Sequence, residues 1–138
     1  MEKFNQLLRS GEPYVLSIFR IVVGLSLFQF GVAKIFKFPV VAPFDKVQMF
    51  SLFWNAAVFE FVFGGLLILG LFSRLAAFIL CGEMAFAYFI GHFPKGFWPA
   101  ANMGENAILL CFIFLYIAAA GPGAWAVDNL RTRNAPIR

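Results

Sequence analysis

Arg20, Glu60, Glu83 and Glu105 each stand in, or at the mouth of, an apolar run suited to lipid. Tyr14 to Phe30 contains Arg20 and leads to Lys34; Leu52 to Phe72 contains Glu60; Leu75 to Ile90 contains Glu83; and Glu105 opens a segment that continues as Ile108 to Ala120. A run of about 18 or more apolar residues reads as a membrane span, and a charge inside one is expensive enough to mark a function or a specific pairing. At 1.5 Å rise per residue, Arg20 is placed ~10 Å in from the inner surface, with Glu60 and Glu83 near the midplane. Two carboxylates in low dielectric do not both ionise uncompensated. Arg20 is the cation within reach, so the spacing predicts an Arg20–Glu60 pair and leaves the second acid neutral. Such a pair either fixes helix register or lines a ligand cavity or proton path. Glu83 reads as a protonated acid donating one hydrogen bond, or as a titrating site. An outer tier of Lys34, His92, Lys95, Asn102, Glu105 and Asn106 gathers at the external mouth, where Lys34 can also serve as a snorkelling anchor.

The elements that must hold these groups are helices. The sequence predicts an all-α membrane protein, a four-transmembrane-helix bundle in one domain over residues 1–138. Its spans are approximately 13–36, 52–72, 74–92 and 103–121, with 122–138 as a polar, mobile cytoplasmic tail. Glu12-Pro13 is a helix-start signal, and Gly121-Pro122-Gly123 is a helix stop. The connection from Lys37 to Ser51, with Pro39 and Pro43, reads as an irregular interfacial segment. The short turn from Leu71 to Arg74 makes the second and third spans antiparallel neighbours. Steps of three and four residues from Arg20 pass through Gly24, Leu27, Gly31 and Lys34, and those around Glu60 pass through Phe53, Ala56, Ala57 and Gly64. Small residues beside charges suit inward faces, because helices in lipid approach closely through Gly and Ala.

Composition agrees. Apolar residues make up 62% of the 138, against ~45–50% in soluble proteins, and the mean hydropathy is +0.83. The net charge of +4 is spread over segment ends, which points to anionic headgroups and not to nucleic acid. The single His leaves no bis-histidine haem, and no Cys/His cluster has metal-ligand spacing. Cys81 and Cys111 are isolated in the sequence and read as small hydrophobic filler. The chain therefore carries no intrinsic cofactor site, and any electron transfer must use a partner or a diffusible cofactor.

Several pieces taken together resemble the DoxX family of bacterial membrane proteins. They are Arg20, Gly31-Val32-Ala33-Lys34, Glu60-Phe61-Val62-Phe63-Gly64-Gly65, Gly70-Leu71-Phe72-Ser73-Arg74-Leu75-Ala76-Ala77, Asn102-Met103-Gly104-Glu105, and Gly121-Pro122-Gly123 followed by Asp128. The resemblance implies a four-helix membrane bundle with polar positions at Arg20, Lys34, Glu60, Arg74 and Glu105. Glu83 falls where many members carry an apolar residue, and the loop from His92 to Pro99 is particular to a subgroup. The family is named for a small subunit of a thiosulfate:quinone oxidoreductase, and some members are linked to complexes handling thiols and oxidative stress. It implies an accessory or quinone-interacting subunit of a bacterial inner-membrane oxidoreductase system, with quinone as the cofactor and redox subunits or a second copy as partners. Two other readings stand beside it: a small proton-coupled transporter using Glu60 or Glu83, and a structural partner subunit.

Orientation follows from Lys and Arg in short loops. With the N-terminus inside, Lys3, Arg9, Arg74, Arg131, Arg133 and Arg138 lie inside, against Lys34, Lys37, Lys46 and Lys95 outside. Both termini are expected in the cytoplasm. A reporter active only in the periplasm, fused after Arg138, should be silent, and strong activity would reverse the topology.

Overall fold

The computed structural model describes residues 1–133; the side chains of Thr132 and Arg133, and residues 134–138, Arg138 included, lie outside the described part. The described chain is helical, without a strand. It comprises α1 (Glu2–Phe36), α2 (Leu52–Leu69), α3 (Ser73–Ala87), α4 (Pro99–Asn102), α5 (Glu105–Ala120) and α6 (Val127–Arg133). A π-helical turn, Tyr88–His92, and a 3-10 turn, Phe93–Lys95, continue α3. Glu2–Phe36, Leu52–Leu69 and Ser73–Lys95 are long and apolar enough to cross a bilayer. The apolar α5 has 16 residues, ~24 Å of helix against a hydrocarbon core of about 30 Å.

The first helix begins at Glu2 and not at Pro13, which it carries in its interior. Good helix formers such as Lys3, Gln6, Leu7 and Arg9 precede Pro13. The Pro13 carbonyl accepts from Ser17 Oγ at 2.9 Å and from Ala124 N–H at 3.0 Å, which ties this turn to the C-terminal segment.

Helix α1 packs on α2 and α3 packs on α5, and the α2–α3 contact joins the two pairs. Small residues set the α1–α2 register. A Cβ on Gly31 would lie 2.6 Å from Phe61 N and 2.8 Å from Ala57 O, and one on Gly24 would lie 3.2 Å from Gly64 O. Gly24 therefore opposes Gly64 and Gly31 opposes Ala57, an antiparallel contact in which two turns on one helix match two on the other. Val23, Leu27, Leu67, Ala76, Ala77, Leu80, Phe114 and Ile117 fill the interior. Of the 20 Phe residues, Phe114 alone is buried; the others lie at or near the outer surface, as lipid permits.

At the end where α2 passes into α3, polar side chains close the helix termini. Gly70 ends α2 at φ +69, and a Cβ there would lie 2.6 Å from the Ala126 Cβ. The Leu71 N–H returns to the Leu66 carbonyl at 3.0 Å. Helix α3 has no capping side chain of its own. Its Phe72 and Ser73 N–H groups instead donate to Asp128 Oδ1 and Oδ2, each at 2.8 Å. Arg131 lies 4.3 Å over the Phe72 ring, and Arg74 donates to the Ala118 carbonyl at 2.8 Å and the Ala119 carbonyl at the end of α5. The expected free tail is thus corrected over its described part. It folds back because Asp128 supplies the acceptors that α3 lacks.

Partial burial pushes the Asp128 carboxyl up, but hydrogen bonds from Ser73 and Phe72 and the Arg131 charge outweigh this and hold it below the ordinary 3.8. Asp128→Ala should lower stability in detergent by roughly 0.5–2 kcal/mol, the usual loss of an N-cap. Because the folded-state value is depressed, this contribution is complete above the unfolded Asp value of about 3.9 and is lost as pH falls through the folded value. The stabilities of wild type and Asp128→Ala should therefore converge in acid, and a constant gap would show that the carboxylate charge is not involved.

Candidate functional site

Arg20 is fully buried, yet no acid among the described residues pairs with it directly. Its Nε donates to the Pro122 carbonyl at 2.8 Å, Nη1 to the carbonyls of Leu67 and, at 3.1 Å, Ile68, and Nη2 to that of Trp125. The planar fork thus closes the carbonyl end of α2, where the helix dipole is negative, and ties it to the 122–125 segment. The predicted Arg20–Glu60 pair does not form. The Gly24–Gly64 contact places Arg20, one turn before Gly24, beside the last turn of α2. Glu60 lies eight residues before Ile68, ~12 Å along the helix.

Glu60 pairs instead with Lys34, whose Nζ lies 2.7 Å from Oε1 and 2.8 Å from Oε2. Both residues are buried, at 9% and 5% exposure. Helical side chains lean toward their own N-terminus, so in antiparallel helices Lys34 reaches back along α1 and Glu60 back along α2, toward each other, and they meet. Rings of Phe44 and Phe30 lie 5.3 and 6.0 Å from the ammonium. Phe44 belongs to the 37–51 connection, which Lys37 fastens by donating to the Phe44 and Val47 carbonyls at 2.8 and 2.7 Å. Lys34 is therefore no snorkelling anchor, and this loop covers the pair.

Glu83 lies within electrostatic range of both Glu60 and Lys34, since it is ten residues into α3 and Glu60 is nine from the end of α2. Both its carboxyl oxygens are closed off and have no hydrogen-bond partner among the described residues. The single hydrogen bond expected for Glu83 is absent. Its side chain lines an apolar groove of about 360 Å³ between α2 and α3, with Leu52, Asn55, Phe59, Ile79 and Phe86.

The rest of the outer tier divides. His92 Nδ1 donates to the Asn102 carbonyl at 3.0 Å. The buried Asn102 side chain donates to the Gly96 carbonyl and accepts from Gly104 N–H, both at 2.8 Å. These two residues knit the loop between α3 and α5. Lys95, Glu105 and Asn106 stand exposed, and Glu105 lies in the first turn of α5, where a negative charge favours the helix dipole. Cys81 and Cys111, far apart in sequence, come together with Sγ atoms 3.6 Å apart. The missed signal was depth: each lies eight or nine residues from the same end of the bundle.

A family model described as DoxX matches residues 15–93. An uncharacterized protein of Haemophilus influenzae is 45% identical over 122 residues, covering 86% of this chain and 91% of that protein. An uncharacterized membrane protein of Mycobacterium tuberculosis is 28% identical across 91% of this chain and 85% of its own length. No solved structure matches the chain.

The site geometry separates two pairings by mutation. Lys34→Met and Glu60→Leu should each cost ~3–5 kcal/mol by stranding a buried charge, and the double variant should recover part of that loss. Arg20→Leu and Glu60→Leu should be additive in thermal stability. Coupling in the second cycle and none in the first would restore the Arg20–Glu60 pair.

Proposed function

The chain belongs to the DoxX family of membrane proteins, and we propose that it binds a lipophilic quinone in the α2–α3 groove, as an accessory subunit of an oxidoreductase system of the bacterial inner membrane. The observation that carries this reading is the unpartnered Glu83 carboxyl at an apolar groove. A buried polar group without a partner is costly, and a ligand that supplies one is bound in proportion. Both oxygens are shielded in this structure, so the Glu83 side chain would rotate to turn them into the groove. There a neutral carboxyl donates to a quinone carbonyl, and its second oxygen accepts from a hydroquinone hydroxyl. Phe59, Ile79 and Phe86 offer apolar walls to the ring and tail, and Asn55 adds a polar group at the same groove. The Lys34–Glu60 pair behind Glu83 is internally compensated and sets the local field. Arg20, expected among the ligand contacts, belongs to the helix-end clamp.

On this reading α5 completes a four-pass bundle, and both termini lie in the cytoplasm with Arg74 and Arg131 near the inner surface. Electrons would pass to or from a partner subunit, since the groove supplies binding and orientation only. A second reading has one specific observation behind it. Glu83 faces a charged pair, so proton exchange there would alter that pair, as a proton-coupled transporter requires.

Thermal shift with decylubiquinone, run beside a pH-dye assay in proteoliposomes, tests both. Binding at a hundredfold excess over Kd should stabilise the wild type by about 2.7 kcal/mol. Glu83→Leu should abolish that shift, Glu105→Gln should keep it, and no proton flux should accompany the quinone. Proton movement lost in Glu83→Leu, without a thermal shift, would favour transport. Neither response would leave a structural partner subunit.

A further inference from the structure

Cys81 and Cys111 are free thiols in van der Waals contact across the α3–α5 interface. They belong to neither the ion pair nor the groove: Gly82 and Glu83 line the α2 side of α3, while Cys81 meets α5. Helices α3 and α5 run antiparallel, and Cys81 lies eight residues after the start of one and Cys111 nine before the end of the other. Both thiols are therefore ~12–14 Å along the helices from the same end. Leu80, Phe114 and Ile117 fix the packing on their inner side, and both Cys residues are half-buried against that cluster. The sulfurs are 3.6 Å apart, so a bond of ~2.05 Å requires them to approach by about 1.5 Å.

The surroundings select the oxidant. Thiol exchange in water runs through the thiolate, and an unpaired anion at this depth is disfavoured. A lipid-soluble two-electron acceptor can arrive from the bilayer at the half-exposed side. We propose that Cys81 and Cys111 form a redox dithiol that a membrane quinone oxidises to a disulfide stapling α3 to α5. Two S–H bonds break and one S–S bond forms. The two electrons and two protons pass to the quinone carbonyl oxygens, giving the hydroquinone. The dithiol does not depend on the α2–α3 groove, because it lies on the other side of α3.

The test uses the full chain in liposomes with decylubiquinone, whose fully substituted ring has no free position for thiol addition. Expected are loss of both maleimide-reactive thiols after unfolding, an intact mass lower by two hydrogens, one hydroquinone formed per chain, and recovery of both thiols with dithiothreitol. Cys111→Ser should keep its remaining thiol and form no hydroquinone. Glu83→Leu should be oxidised as the wild type is, which separates this site from the groove reading. Ferricyanide, confined to water, should leave both thiols intact. Two thiols still reactive after the quinone, disulfide-linked dimers in place of the internal bond, equal oxidation by ferricyanide, or loss of oxidation in Glu83→Leu would each overturn the proposal.

Discussion

Helix ends within reach of lipid leave carbonyls that no water satisfies, and meeting that demand arranges the polar groups of this protein. Arg20 closes the end of α2 and Arg74 the end of α5, while Asp128 serves the N–H groups at the start of α3. These charged residues serve one end of the bundle. With Arg20 committed there, Lys34 is left for Glu60, and Glu83 receives no hydrogen-bond partner among the described residues. The location of the unpaired carboxyl thus follows from how the helix termini are completed.

The helices, the antiparallel α2–α3 hairpin and the small-residue inner faces were legible in the sequence because each has a local cause. Apolar length gives the helices, the short connection from Leu71 to Arg74 the turn, and Gly24, Gly31 and Gly64 the close approach. The pairing of charges was misread although its determinant was present. Gly24 and Gly31 are seven residues apart, as are Ala57 and Gly64, and matching them antiparallel already puts Arg20 past Glu60. Depth counted from the membrane surface ignored both this register and the lean of helical side chains toward their N-termini. The return of the C-terminal segment was not legible, because it rests on a long-range match between Asp128 and an uncapped helix start.

The family too was legible, since its pieces occur in order along the chain. The site was legible only as a set of candidates. Glu83 was recognisable as an anomaly, but only three-dimensional packing could distinguish an acid with a hydrogen bond from one without. His92 and Asn102 looked like mouth residues because polar groups near a span end resemble a site. They turn out to satisfy a Pro-rich loop whose backbone has few regular partners of its own.

These assignments leave α3 with two unlike faces: a lone carboxyl toward α2 and a thiol toward α5. A leucine at position 83 would extend the apolar groove wall and remove two orphaned acceptors, so packing alone favours leucine there. Proteins commonly give up stability where activity requires a strained or unsatisfied group, and an ionisable residue inside a span is by default a site. The Lys34–Glu60 pair does not fall under that argument, because each partner satisfies the other and register alone accounts for it. Glu83 has no structural employment of that kind among the described residues, so its presence beside an apolar groove is the stronger mark of function.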